Sequence, residues 1–434
     1  MILFSFLHKE QSRIHARHIP TSIEQVKQSY KNLSKEAKML IITNIFLSIG
    51  LGLGSTFLTI FLWRQIHDFS IIVVFYVVQY PIIFASFFFL GTMKYRFKLR
   101  TLIQIGAVFY ILMFTLLIFF QGQLAHYLWL IGSMYGAGVG ISSCGNTPFQ
   151  YIFTQDENRD RFYSIGIAQG LIMSIAVPFI SGIIISQTIV PLSIILNYYV
   201  LFSMAICLLA IGLVFAFLLP ENLLTKIEPK DVLMPFSRPG WHFVTYAAFI
   251  DGFKGGLESF VGSILAFVIL TKEVNMGAYN AFFAIAATVV ALYLGKKLQR
   301  EKRLLVGSIG ALLILLERGV YIMFFSFFGL VISSFIGIFG EQFFTLGLIS
   351  TFFDMIDHSP QHEKEYFAYI TFKEIPFGIG RIAGILVFLI ILHFMSDITS
   401  AKIWYLFLGI LPFTLYFLTK KFERVIENNM TSYK

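Results

Sequence analysis

The sequence predicts an all-α polytopic membrane protein, with twelve transmembrane helices in two pseudo-symmetric six-helix bundles. Three observations predict it. Of 434 residues, 57% are hydrophobic and 13% charged, whereas soluble domains run near ~45–50% apolar and ~25% charged. Twelve apolar spans recur, at about 39–63, 70–91, 101–120, 126–150, 164–187, 192–219, 241–271, 276–295, 304–325, 329–353, 366–395 and 403–419. A bilayer core of ~30 Å needs roughly 20 helical residues, and the spans have that order of length. Third, the basic residues alternate from loop to loop. With the N-terminus inside, 26 of the 33 Lys and Arg fall in inner segments, 3 in outer loops and 4 within spans. That asymmetry sets the orientation, with both termini cytoplasmic in the cell membrane.

Residues 1–38 read as a cytoplasmic extension. Its segment Ser22 to Leu40 has helical charge spacing, suited to lying along the membrane surface or to leading into the first span. An N-terminal bundle over 39–219 follows. The linker 220–240 is short and carries Pro229, Pro235 and Pro239. A second bundle occupies 241–419, and 420–434 form a basic cytoplasmic tail. The halves repeat. Leu90 to Arg100 (LGTMKYRFKLR) follows the second span and Leu294 to Arg303 (LGKKLQREKR) the eighth, each a Gly, a basic turn and a return. The loops after the fourth and tenth spans are both acidic, then mixed, then aromatic. Six spans, a linker and six similar spans indicate paired bundles.

The net charge of +9 belongs to the inner loops, so it points to anionic lipid and not to nucleic acid. Cys144 and Cys207 lie in apolar segments and imply no disulfide framework or metal site. His358 and His362 are four apart, but Pro360 between them argues against a helical metal site. No nucleophile elbow or nucleotide loop is present, so neither an enzyme, a cofactor nor direct use of ATP is expected.

The seventh span is the exceptional one. Asp251, Lys254 and Glu258 stand three and four residues apart within an otherwise apolar stretch, on one helical face. Ionised groups at that depth cost several kcal/mol unless they face protein or water. Gly252 and Gly256 weaken the helix there and suit a hinge. Glycines four apart also occur at Gly50/Gly54, Gly136/Gly140 and Gly380/Gly384, a spacing that lets backbones approach closely.

The six-plus-six layout, the repeated glycine-plus-basic turn and the short linker make the chain resemble the major facilitator superfamily over residues 39 to 420. Of that family's loop signature, Gly91 and Gly295 match the first position. Tyr95 and Gln299 stand in place of its Asp, and Lys98 and Lys302 in place of its second Gly. The resemblance implies gating loops that include Gly91, Lys98, Arg100, Gly295, Lys302 and Arg303. Gly170 to Gly182 is similar to a weakened form of the family's drug-antiporter motif, keeping Pro178 and Gly182. The implied activity is secondary transport of a small molecule by a monomer in membrane lipid.

Within that frame the halves divide the work. The first half has neutral interior groups, of which Asn44, Gln79, Tyr80, Asn146 and Gln169 are expected to bind substrate. The second half ionises, and Asp251, Lys254, Glu258, Glu341, Glu374 and Arg381 are expected to couple transport to protons. Glu258 and Glu341 are the favoured proton carriers, with Lys254 and Arg381 modulating them. Glu317 and Arg318 read as structural or snorkelling groups nearer the outer end. The competing reading of all these charges is a static ion-pair network. Proton-coupled export of an amphipathic compound is the favoured function. Uptake of a sugar or small acid is the alternative, and a non-transporting sensor, scaffold or lipid-handling protein is the alternative of another class.

Overall fold

The computed structural model describes residues 30, 33–92, 97–153, 156–186, 193–223, 233, 236, 241–297, 303–357 and 362–432. Nearly all of the extension, most of the linker, Lys302 and His358 lie outside these residues. The rest is helical: α1 (Lys35–Thr56), α2 (Leu58–Ile66), α3 (Phe69–Thr92), α4 (Leu99–Phe120), α5 (Leu124–Ile152), α6 (Asp156–Ile185), α7 (Ile194–Ala216), α8 (Trp241–Gly255), α9 (Glu258–Leu270), α10 (Glu273–Lys297), α11 (Arg303–Met323), α12 (Phe327–Asp357), α13 (His362–Phe394) and α14 (Asp397–Ser432). Each of the twelve spans read from sequence has its helix. The first and seventh are each built from two segments, α1 with α2 and α8 with α9. Ten stretches of the described residues are long and apolar enough to cross a membrane, and Leu99–Gln150 among them holds both α4 and α5.

Two boundaries differ from expectation. The first helix starts at Lys35, because Ser34 caps it: its hydroxyl accepts from the Ala37 amide at 3.1 Å. A side-chain acceptor at that position satisfies an otherwise orphaned N–H. The residues expected to form a tail from 420 continue α14 to Ser432.

The chain divides into two compact units, residues 1–226 with 270–285, and residues 227–269 with 286–434. One boundary between the units falls at 226/227, within the stretch read as a linker. Residues 270–285 differ, since the start of α10 groups with the first unit. Inside each half the pairings repeat: α1 with α6, α1 with α7, α4 with α5 and α4 with α7 correspond to α8 with α13, α8 with α14, α11 with α12 and α11 with α14.

Each unit has an aromatic core. In the first, Phe61 packs on Tyr198 and Phe202, both at 5.1 Å between ring centroids. In the second, Trp404 packs on Phe253 at 5.5 Å and Phe388 at 5.6 Å. Large apolar side chains such as Phe119, Val214, Phe328 and Phe394 are exposed on the outside, as a lipid-facing surface requires. Glycines set the closest crossings. A Cβ at Gly136 would lie 2.6 Å from the Gln79 carbonyl oxygen, and one at Gly384 2.6 Å from that of Phe253. Gly252 and Gly380 serve the same α8–α13 crossing, against the Phe377 and Phe249 carbonyls.

The seventh span is not one continuous helix. It breaks between Gly255 and Glu258, across Gly256 and Leu257. The first span breaks at Phe57, just after Gly50, Gly52 and Gly54, where φ is −107° and ψ 11°. Glycine loses more freedom on helix formation than other residues, so both clusters mark weak points.

Candidate functional site

The break in the seventh span delivers a charged cluster to the interior of the second unit. Lys254, at the end of α8, donates to both oxygens of Glu341 on α12, at 2.9 and 3.2 Å. Its Nζ lies 3.7 Å from Glu258 on α9. Arg318, on α11, donates to Glu258 and stands 3.5 Å from Glu341. Its Nε is 3.0 Å from Glu317, whose carboxylate accepts from the Tyr405 hydroxyl on α14 at 3.1 Å. The Arg318 guanidinium lies over the Tyr405 ring, 3.9 Å from its centroid. Five charges from four helices thus share one network.

Arg318 is its hub, with a side chain only 3% exposed. Glu317 and Arg318, read from the sequence as structural or snorkelling groups, are thus enclosed partners within this cluster. Small residues make room for both: a Cβ at Gly409 would lie 2.9 Å from Arg318 Cγ, and one at Gly337 3.0 Å from Glu317 Cγ. The network is graded in accessibility. Lys254 and Glu317 are nearly enclosed, Glu258 is 25% exposed and Glu341 40%. Among these five described groups three carboxylates face two cations, a surplus of one negative charge when all five are ionised. A net charge in a low-dielectric setting is costly, and uptake of one proton or one cation removes it.

Of the other residues expected to join this site, Asp251 is half-buried one turn before Lys254. Arg381 is buried, with its guanidinium 4.0 Å from the centroid of the Phe377 ring. Glu374 is half-buried and makes no ion pair among the described residues. α13 meets α8 through its glycine face, at Gly380 and Gly384.

The first unit contains the neutral groups. Asn44 Nδ2 donates to Asn146 Oδ1 at 3.1 Å, so these two satisfy one another. Gln79 is buried, and its Oε1 has no protein partner among the described residues. The same unit also holds paired tyrosines: Tyr76 shares a 2.8 Å hydrogen bond with Thr59, the Tyr76 and Tyr80 rings are 6.2 Å apart, and Tyr110 and Tyr135 are 6.1 Å apart. Gln169 is half-buried on α6.

The gating-loop residues are described in part. Gly91 ends α3, Gly295 lies near the end of α10 and Arg303 begins α11. Lys98 and Arg100 both donate to Glu221, Lys98 at 2.5 Å. The Leu99 amide donates to the Asn222 carbonyl at 2.7 Å, so the return into α4 is clipped to the end of the sixth span. Lys98 above all, with Arg100, holds the Glu221 carboxyl below its ordinary value of 4.5. Glu221 and Glu273 escaped sequence reasoning. Each is a lone acid beside a span end, and only the fold shows its partners.

No protein-family model matches the sequence. An uncharacterized protein, YqgE of Bacillus subtilis (strain 168), is 27% identical over 390 residues, covering 86% of each chain. Among solved structures, a variant of the nucleoside transporter NupG matches with a TM-score of 0.67 at 16% identity, covering 89% of this chain and 100% of that one. A POT family transporter in complex with 5-aminolevulinic acid matches at 0.66 and 12% identity, covering 92% and 100%. The human organic anion transporter MFSD10 matches at 0.59 and 12% identity, covering 89% and 100%. With its apolar helices, its internally repeated pairings and these likenesses over nearly the whole chain, the protein is a multi-pass membrane protein with the fold that these transporters share.

Proposed function

We propose that the protein is a proton-coupled secondary transporter, exporting an amphipathic small molecule across the cytoplasmic membrane by alternating access. Both termini are cytoplasmic in this reading, as the basic inner loops support. The observation that carries it is the surplus carboxylate in the Lys254–Glu258–Glu317–Arg318–Glu341 network. Glu341 is its accessible member and takes the proton from water. Lys254 and Arg318 pair with Glu258 and Glu341 here, and a shift of the helices would separate them. A carboxylate alternately paired and freed binds and releases a proton in step with the conformational change.

The test begins with a thermal-shift screen of the purified protein against amphipathic compounds, sugars, nucleosides and small acids. A hit is then followed in proteoliposomes under an imposed pH gradient. Glu341→Gln is expected to abolish proton-driven flux while leaving exchange of substrate for substrate intact, and Glu258→Gln to do the same less completely. Unchanged proton-driven flux in both variants refutes the coupling assignment. Flux toward the lumen of inverted vesicles supports export. The opposite direction supports uptake of a sugar or small acid. That alternative needs free polar groups in the first unit, where Asn44 and Asn146 already bond to each other. A sensor or lipid-handling protein would move no hit from the screen.

A further inference from the structure

Apart from the charge network, an ion pair in the first unit grips the start of α10. Arg64, near the end of α2, engages the Glu273 carboxylate with two bonds, Nε to Oε1 at 2.5 Å and Nη2 to Oε2 at 3.2 Å. The Tyr198 hydroxyl on α7 donates to the same Oε1 at 3.1 Å. Tyr198 is fully buried against Phe61, and the neighbouring Asn197 amide ties α7 to the end of α6 through the Ile185 carbonyl at 3.2 Å. One carboxylate in the first turn of α10 therefore binds side chains from α2 and α7.

The surroundings make this a reversible grip. Just ahead of Glu273 the chain turns through Thr271, whose φ is 58°. That left-handed conformation suits few side chains and marks a joint. α6 and α10 touch through Gly182 and Gly277, with a Cβ at Gly182 2.6 Å from the Glu273 carbonyl oxygen. Such a crossing sets backbone against backbone, with no side chain of either glycine between them. Arg64 keeps 27% of its side chain exposed while Glu273 is 3% exposed. Opening would therefore give the guanidinium to water and bring the carboxylate out with it. α10 is also the helix that begins in the first unit and ends in the second.

We infer that Arg64 and Tyr198 form a latch on Glu273, which pins the start of α10 and must release before that helix can move. The inference rests on the transport reading only for the use made of that motion; the latch itself is tested without substrate.

Spin labels on cysteines replacing His67 and Lys272, both exposed, read the gap across the latch, in a Cys207→Ser background. The expected result in the unaltered latch is one short distance. Glu273→Gln should add a longer, well-defined distance, its population raised about tenfold or more relative to the short one, because removing one partner of a buried pair strands the other. Tyr198→Phe keeps the ring packing and loses one bond, so it should raise the same longer population about two- to fivefold. A single short distance in both variants overturns the latch. A broad distribution with no second peak overturns it too, since that marks local unfolding. Loss of proton-driven flux in Glu341→Gln bears on the transport reading and leaves this result untouched.

Discussion

Arg318 shows how much one residue depends on its neighbours. It satisfies Glu258, Glu317 and Glu341 at once and stacks on Tyr405. Arg318→Ala would leave the nearly enclosed Glu317 and the partly buried Glu258 without their shared cation. Removing one partner of a buried ion pair costs about 3–5 kcal/mol, so thermal unfolding of the purified variant should show a loss of that size. Glu341→Gln should cost less, about 1 kcal/mol, since that side chain is the most exposed of the set. If Glu341→Gln proves the more damaging of the two, Arg318 is not the hub. Glu221 gives a pH test outside the membrane. Its pairing with Lys98 and Arg100 favours the ionised form. The resulting stability is present above the ordinary carboxyl value and disappears as pH falls through the lower folded value. The unfolding midpoints of the parent and Glu221→Gln should stay apart from neutral pH to about pH 5, then converge in more acidic buffer. A gap that does not narrow as the buffer is made more acidic contradicts the pairing.

At the scale of elements, the crossing of α8 and α13 decides where the charges meet. Gly252, Gly380 and Gly384 bring backbone onto backbone there, and the rigid carbonyls of Phe249, Phe253 and Phe377 cannot retreat as a side-chain tip would. Gly384→Val is expected to destabilise by about 1–3 kcal/mol, in the range of overpacked cores. Gly166→Ala, at a position with nothing nearby for its Cβ to meet, is the control and should change the unfolding midpoint little. Equal effects would mean that close approach is not what α8 and α13 use their glycines for. The same logic explains the broken seventh span. Its glycines are legible in sequence as a weak point, but the direction in which Glu258 turns after the break depends on α11 and α12.

At the scale of the molecule, the charge distribution of the loops predicts topology. A reporter fused after Lys434 should be active only where its activity requires the cytoplasm, and one inserted between Asp397 and Thr399 only where it requires the exterior. The reverse pattern would invert every statement about inner and outer ends. Much of the architecture was open to a reader of the sequence alone, because hydrocarbon allows few solutions. Each span must be apolar, helical and of a given length, and basic loops must stay on one side. Those constraints act locally, so composition, span number, repeat and linker could all be read from the chain, as could the close-packing glycines. The membership of the charge network could not. Lys254 meets Glu341 across 87 residues of chain and Arg318 meets Glu258 across 60. Helical phase fixes which residues share a face but not which face a neighbouring helix turns toward it. That choice is made by packing between helices, and so the partners of Glu258, Glu273 and Glu341 were decided only in three dimensions.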